Sequence, residues 1–388
     1  MSLQPITPPA TIGVLGGGQL GRYAVMAATA MGYRTMVLDP DPSAPAGMVA
    51  NDHLVAQYDD PVALQRLMFE CDVVTTEFEN PPSYALDQLA GGVVVAPPPE
   101  AVAIAQDRIA EKSFLLENGF SVGPFATLVD DRQHVDDALV VDGAIVKTAR
   151  LGYDGKGQRS VRGVAETFTA WAELGGVPCV VEQRLDLEIE LSVLVARTAD
   201  GRVEAWPVAE NHHVDGILDL TVVPADVPTK LADRAVGLGM AIADALGYVG
   251  VLAVELFVVG GELLVNELAP RPHNSGHWTL DACVTSQYEQ QVRAVCGLGL
   301  GSTAMTARSV AMVNLLGDLW ETGEPDWSIV FDDPHAKLHL YGKSHARPGR
   351  KMGHLTVTSD VATAAVTRAL ELRSAAVRSP PPRPLPFA

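Results

Sequence analysis

The sequence predicts a mixed α/β protein: a parallel-sheet unit, then a second mixed domain, then a short-stranded C-terminal segment. Three observations carry that reading. Residues 11–39 run strand, glycine turn, helix, strand; apolar strands and helices then alternate up to a proline-rich stretch at 96–100; beyond residue 143 the apolar runs are strand-like and separated by turns. The chain has 388 residues, more than one core organises, so two or three packed units are expected. At 47% hydrophobic and 19% charged, its composition excludes a disordered or collagen-like chain. The formal charge of -19, from 28 basic and 47 acidic residues, opposes wrapping a polyanion and confines any phosphate site to a local patch.

Thr11 to Leu15 is an apolar strand, Gly16 to Gly21 a glycine turn, Arg22 to Met31 a helix, and Tyr33 to Leu38 a second strand closed by Asp39. Strand-like runs at His53 to Ala56 and Asp72 to Thr75 flank a helical stretch at Pro61 to Glu70, and a boundary near residue 107 follows the prolines of Ala96 to Glu100. A helix over Ile109 to Asn118 is stopped by Gly119; the strand Gly143 to Val146 runs into Leu151 to Gln158, where the glycines predict a mobile loop. Pro178 to Val181, Leu191 to Ala196 and Val203 to Val208 read as strands, Ala232 to Leu246 as an amphipathic helix, and Val251 to Val259 with Glu262 to Leu268 as a hairpin around Gly260-Gly261. From about Ser309 come short strands, a helix near Ala362 to Leu372, and a proline-rich end at Ser379 to Ala388 that cannot support a helix. Apolar stretches are broken by charge or glycine short of the ~20 residues that span a bilayer, and Met1 to Pro9 lacks a secretory pattern, so a cytoplasmic location is expected. Cys71, Cys179, Cys283 and Cys296 form no close pair and read as buried thiols.

Five motifs carry chemistry. Gly16-Gly17-Gly18-Gln19-Leu20-Gly21 satisfies GxGxxG after a strand, with Asp39 where a dinucleotide enzyme holds a ribose hydroxyl; the same turn would expose N–H groups to any phosphate or carboxylate, or bind nothing. Lys147 ends a strand ahead of Gly152-Tyr153-Asp154-Gly155-Lys156-Gly157-Gln158, a loop able to fold over triphosphate oxygens, although the GK[ST] ending of a Walker loop is absent. Glu255 and Glu267, with Asn266, lie on apolar hairpin strands, where carboxylates need compensation; oxygen donors of this kind suit Mg²⁺. An ideal Gly-Gly turn sets Glu255 opposite Asn266 and sends Glu267 to the other face, unless a bulge intervenes. The run from Asn266 to Trp278 places Arg271 between two prolines as a stiff anion clamp, followed by His273, Asn274 and Ser275. Lys343, Arg347, Arg350 and Lys351 form a basic cluster that reads equally as a solvated loop or as a phosphate anchor bent by Pro348-Gly349.

Taken in order, GGGQLGR, TEFEN, QDR ending at Arg108, GYDGKGQ, VEQ, NHHVDGI, NELAPRPHNSGHW and YGKSHARPGRKMGH resemble the ATP-grasp superfamily and, within it, the 5-(carboxyamino)imidazole ribonucleotide synthases. The resemblance implies three domains around one cleft: a Rossmann-like pre-ATP-grasp domain at 1–107, an ATP-grasp domain at 108–305 with a lid at about 115–181, and a small β-rich C-terminal domain at 306–388. It implies a carbon–nitrogen ligase of purine biosynthesis that carboxylates 5-aminoimidazole ribonucleotide with ATP and bicarbonate through carboxyphosphate, releasing ADP and phosphate. By the same resemblance Arg108, Lys147, Gly152 to Gln158, Glu182, Gln183, Glu190, His213, Asn266 and Glu267 would hold ATP, with Asp186 or Glu188 an alternative to Glu190 and His212 to His213. Glu255 and Glu267 would hold Mg²⁺, or Mn²⁺ in its place. Tyr153, Asp154, Arg271, His273, Asn274, Ser275, Lys343 and Arg350 would contact the ribonucleotide, with Gln19, Leu20 and Glu77 nearby. Arg271, Lys147 and Glu267 would carry the catalysis. A homodimer is implied, as is a separate mutase for the next step.

Rival readings are an NAD-dependent oxidoreductase built on Gly16, Gly18, Gly21 and Asp39, and a catalytically silent nucleotide-binding module. Within the same superfamily, a formate-dependent or biotin-dependent carboxylating enzyme also fits. The oxidoreductase leaves Glu255, Glu267 and the Lys147 loop unexplained.

Overall fold

The computed structural model describes residues 4–152 and 156–378. The N-terminal unit is a five-stranded parallel sheet of β1 (Thr11–Leu15), β2 (Arg34–Leu38), β3 (Asp52–Leu54), β4 (Val73–Thr76) and β5 (Val94–Val95), in the order β3-β2-β1-β4-β5. Its central strands are buried almost throughout; every residue of β4, Val73-Val74-Thr75-Thr76, is buried. The first helix, Gln19–Ala30, starts inside the glycine run rather than after it. Gly18 serves as its extended N-cap, so the tight turn is confined to the first three glycines.

A four-stranded antiparallel sheet follows: β6 (Phe125–Leu128), β7 (Ala144–Thr148), β8 (Gln158–Val161) and β9 (Cys179–Gln183), ordered β6-β9-β7-β8. It packs Leu128, Val146, Val161 and Val181 against Ala170 of the helix Val164–Glu173. The lysine-bearing strand and the glycine-rich loop are therefore one hairpin, with Lys147 paired to Gln158 across its mouth.

The largest sheet has nine strands: β10 (Ile189–Arg197), β11 (Val203–Ala205), β12 (Ala209–Val214), β13 (Ile217–Val223), β14 (Gly250–Val259), β15 (Glu262–Ala269), β16 (Ser309–Leu316), β17 (Ala336–Leu340) and β18 (Lys351–Ser359). The path runs β15-β14-β10-β12-β13-β16-β18-β17, with β11 pairing β10. The predicted strand Val203 to Val208 stops at Ala205 because Pro207 has no N–H to donate to a ladder. The helix Thr229–Ala245 buries Ala235, Ile242 and Ala243 against Leu191, Val193 and Val195, each buried Ile, Leu or Val side chain adding about 1.5–3 kcal/mol relative to exposure. The helix Ala362–Arg378 covers the far end through Ala365, Ala369 and Leu372. It outruns the predicted end at Leu372 because no glycine or proline interrupts residues 373–378.

An aromatic seam joins all three parts of the chain. His277 and His354 stack at 4.3 Å between ring centres, their Nδ1 atoms meeting the hydroxyls of Tyr288 at 2.7 Å and Tyr341 at 3.0 Å, and Tyr23 of the first helix packs edge-on to Tyr341 and His277. The four cysteines are unpaired thiols as expected, three of them buried and Cys283 only half-buried, and burial pushes the Cys71 thiol up to about 12, far from the reactive range.

Candidate active site

One cleft of about 920 Å³, at the upper end of the range for small-molecule sites, is walled by all three parts of the chain. Gln19, Leu20 and Glu77 come from the parallel sheet, Lys147 and Gln158 from the four-stranded sheet, Glu190, Glu255 and Arg271 from the nine-stranded sheet and the segment after it, and Lys343 and Arg350 from the β17–β18 connection.

A bulge settles the register of the hairpin acids. The pairing of β14 with β15 steps from Leu256↔Val265 to Glu255↔Glu267, leaving Asn266 as the extra residue. Both carboxylates thus stand side by side in the cleft wall, with the Asn266 amide 3.3 Å from Glu255 Oε2. Burial and the neighbouring Glu267 charge push Glu255 up to about 7, the response of an acid short of positive charge. Clustered oxygen donors on the cleft wall fit a hard divalent cation such as Mg²⁺.

The next wall is cationic. Lys147 Nζ meets Glu182 Oε2 at 2.6 Å, and Lys112 Nζ meets the other oxygen at 3.0 Å. Burial alone would raise Glu182, but the two lysines hold it below its ordinary range. Arg108 opens its helix, donates to Thr148 and Gly152 carbonyls at 3.1 and 3.2 Å, and lies 3.6 Å from Glu267. His213 lines the cleft 2.8 Å from Glu190, whereas His212 points to Glu210 on the more exposed side, as neighbours on one strand alternate faces. Burial works against the His213 charge, but Glu190 and Glu255 raise its pKa overall. Lys156 lines the cleft as well, while Gly157 holds its carbonyl to the Thr148 N–H at 2.9 Å. Gln183 ends β9 with its N–H on the Pro124 carbonyl and is not among the cleft-lining residues. Tyr153, Asp154 and Gly155 lie outside the described residues.

Arg271, expected to clamp a ligand anion, is itself paired to an acid of the chain that the sequence did not point to. Its Nε donates to Glu79 Oε2 at 2.5 Å, and Arg271 keeps that acid below its usual range despite burial. His273 follows, Nε2 lying 3.5 Å from Glu255 Oε1; burial and the nearby Arg271 and Lys351 charges hold it well below its ordinary value, so the ring is neutral. Asn274 lines the cleft with both amide atoms buried and without a protein partner. Ser275 instead faces away from the cleft, its hydroxyl on His273 at 2.9 Å and on Ser192 at 2.8 Å.

The glycine fingerprint is occupied by the chain itself. Glu77 accepts the N–H groups of Gly18 at 2.9 Å and Gly21 at 3.0 Å, and Asp39 accepts that of Gly17 at 2.7 Å and the Tyr58 hydroxyl at 2.7 Å. Gly16 sits at φ +97°, and a Cβ on Gly18 would stand 2.7 Å from Glu77 Oε1, so the glycines make room for a carboxylate of this protein, not for a pyrophosphate. That removes the ground for a dinucleotide site.

In the β17–β18 connection, Lys343 Nζ bonds the Lys351 carbonyl at 2.8 Å and Arg350 the His345 carbonyl at 2.7 Å, while Arg347 and Lys351 complete a basic edge. Residues that sequence reasoning missed are Glu79, Glu111, Lys112 and Ser192. Lys112 was within reach: it lies four residues after Arg108 on one helix, hence on the same face. Glu111, fully enclosed, accepts the Leu268 N–H at 2.5 Å, and burial with the Glu267 charge pushes it up to about 8.

The family models that match are the ribonucleotide synthetase preATP-grasp domain at 9–106, the ATP-grasp domain at 113–288 and the phosphoribosylaminoimidazole carboxylase C-terminal domain at 310–368. An N5-carboxyaminoimidazole ribonucleotide synthase of Brucella melitensis biotype 1 is 46% identical over 361 residues, covering 92% of this chain and 98% of its own. An ADP complex of an N5-carboxyaminoimidazole ribonucleotide synthetase superimposes with a TM-score of 0.89 at 39% identity, over 95% of this chain and 97% of that one. The Aspergillus clavatus synthase in complex with ADP and 5-aminoimidazole ribonucleotide gives a TM-score of 0.82 at 28% identity, over 94% and 98%. Sequence, fold and cleft agree, and the chain belongs to the N5-carboxyaminoimidazole ribonucleotide synthase family of ATP-grasp ligases.

Proposed function

We propose that this cleft joins bicarbonate to the exocyclic amine of 5-aminoimidazole ribonucleotide, converting ATP to ADP and phosphate, and that the side chains divide the work as follows. The observation that carries the division is the cleft's mixed lining: an acid pair, the lysines of the glycine-rich hairpin, Arg271 with His273, and a basic segment between β17 and β18 share one cavity.

Arg108, Lys147, Lys156, Gln158, Glu190 and His213 hold the nucleotide, joined by Gly152, Glu182 and the loop residues Tyr153, Asp154 and Gly155. Glu255 and Glu267, beside Asn266, hold Mg²⁺, which when bound supplies positive charge to the phosphate oxygens. Bicarbonate is a poor electrophile, so it takes the γ-phosphoryl group first; the resulting carboxyphosphate releases CO₂ beside the amine. Arg271, kept rigid by Glu79, neutralises the bicarbonate charge, and Lys147 that of the transferring phosphoryl group. The unpartnered Asn274 amide offers hydrogen bonds to the ribonucleotide, whose phosphate sits on Lys343 and Arg350, with Gln19, Leu20 and Glu77 bordering the base side. A homodimer, a separate mutase and a cytoplasmic location complete this reading, which is compatible with there being no helix long and apolar enough to cross a membrane among the described residues.

The test is ADP release from Mg²⁺-ATP and bicarbonate with and without the ribonucleotide, with labelled bicarbonate to identify the product. Label in an acid-labile carbamate, dependent on the ribonucleotide, supports the proposal. ADP formed without that dependence leaves the ATP-grasp chemistry and removes the substrate.

A further inference from the structure

Behind the cleft wall, a chain of hydroxyls runs into His273. The histidine backbone is locked first: buried Gln287 accepts its N–H and donates to its carbonyl, both at 2.8 Å. The ring is then oriented from the rear. The backbone N–H of Ser275 aims at His273 Nδ1 at 3.3 Å, and the Ser275 hydroxyl lies 2.9 Å from the same atom. An amide N–H can only donate, so Nδ1 is an acceptor and the ring proton sits on Nε2. Ser275 must then point its own O–H at Nδ1, leaving its lone pairs for the next group, which is the Ser192 hydroxyl at 2.8 Å. Both serines are 1% exposed, so no solvent competes for these bonds. Ser192 lies on β10 directly opposite Glu255 of β14, so the strand carrying the acid pair is paired with the strand carrying the relay.

We infer that Ser192 is a positioning residue: by donating through Ser275 it fixes His273 as the Nε2–H tautomer, so the imidazole presents a hydrogen-bond donor to the cleft. This rests on the function proposed for the cleft. A donor beside Arg271 suits oxygen atoms that gain negative charge, and it makes His273 a partner for oxyanions, not a proton acceptor.

Ser192→Thr and Ser192→Val share one shape and differ in the hydroxyl, so comparing them isolates the relay. Val is expected to lower kcat about tenfold, the scale for losing an outer partner of a functional histidine, with KM for ATP little changed and Thr close to the parent. In ¹⁵N-histidine NMR, with the His273 signals assigned by their loss in His273→Asn, the parent and Thr should show one tautomer and Val a mixture. Equal kcat and the same tautomer in Thr and Val overturn the inference. Should the β-branched pair fail to fold, Ser192→Ala takes the place of Val: a lowered kcat with a tautomer mixture supports the relay, and parental kcat with a single tautomer overturns it. A tautomer shift in Val together with undiminished turnover in His273→Asn would overturn the reading of the cleft while the relay stands.

Discussion

Two pairs of carboxylates border the cleft, and they live in opposite circumstances. Glu77 and Glu79, at the N-terminal rim, each have close donors: two glycine N–H groups offset in part the rise that burial gives Glu77, and Arg271 holds Glu79 below its usual range. Glu255 and Glu267, on the bulged hairpin, mainly face each other, and Glu255 is driven up to about 7 for want of enough positive charge. An acid that the fold has already satisfied is part of the frame. The hairpin pair has only longer contacts, Asn266 at 3.3 Å, His273 at 3.5 Å and Arg108 at 3.6 Å, and these leave Glu255 raised, which is the ground for proposing that a cation joins it.

The contrast breaks most visibly in turnover. Glu267→Gln or Arg271→Ala should reduce kcat by at least about a hundredfold, the scale for losing one charge-stabilising group, while circular dichroism and Tm show the fold intact. Near-parental rates in either variant would take that residue out of the machinery. Next comes cation binding: Mg²⁺ with ADP should raise Tm in the parent, a ligand at a hundredfold excess over its Kd adding about 2.7 kcal/mol, and Glu255→Gln should lose the Mg²⁺-dependent part. Glu77→Ala, at the satisfied pair, should behave the other way, costing about 1–3 kcal/mol in urea unfolding from orphaned N–H groups without abolishing Mg²⁺ binding. A purely catalytic loss there would contradict its place in the frame.

The smallest effect is one of pH. Glu111 has a folded pKa of about 8 against an ordinary 4.5, so between those values the folded state holds a proton the unfolded chain has released. Its contribution to stability is complete below about pH 4.5, falls as pH rises toward 8, and is flat above. Glu111→Gln should flatten the decline in Tm by a few degrees over that window; an unchanged slope would place the titration elsewhere.

Much of this was legible in the residues. β1 and the helix Pro61–Glu70 fall where periodicity puts them, and the polar run after Asn266 announced a site because packing alone does not ask for it. What stayed hidden was pairwise. Glu79 and Arg271 are separated by 192 positions, and the register of Glu255 hangs on a single bulged residue, which no local pattern encodes. The glycine turn misled for a related reason: GxGxxG reports room beside a helix end, and only the fold reveals that Glu77 and Asp39 fill it.

The nine-stranded sheet is closed by strands that come late in the chain. The ATP-grasp match ends at residue 288 and the C-terminal one begins at 310, yet β13 and β16 hydrogen-bond across that gap, Leu220 to Val313 through Val223 to Val310. A fragment cut near residue 306 would bare the edge of β13 as an open template for strand addition, and aggregation would follow. For synthesis on the ribosome, the ATP-binding half must therefore wait for the last eighty or so residues before its sheet is closed, so premature termination there should yield an insoluble product, not a smaller enzyme.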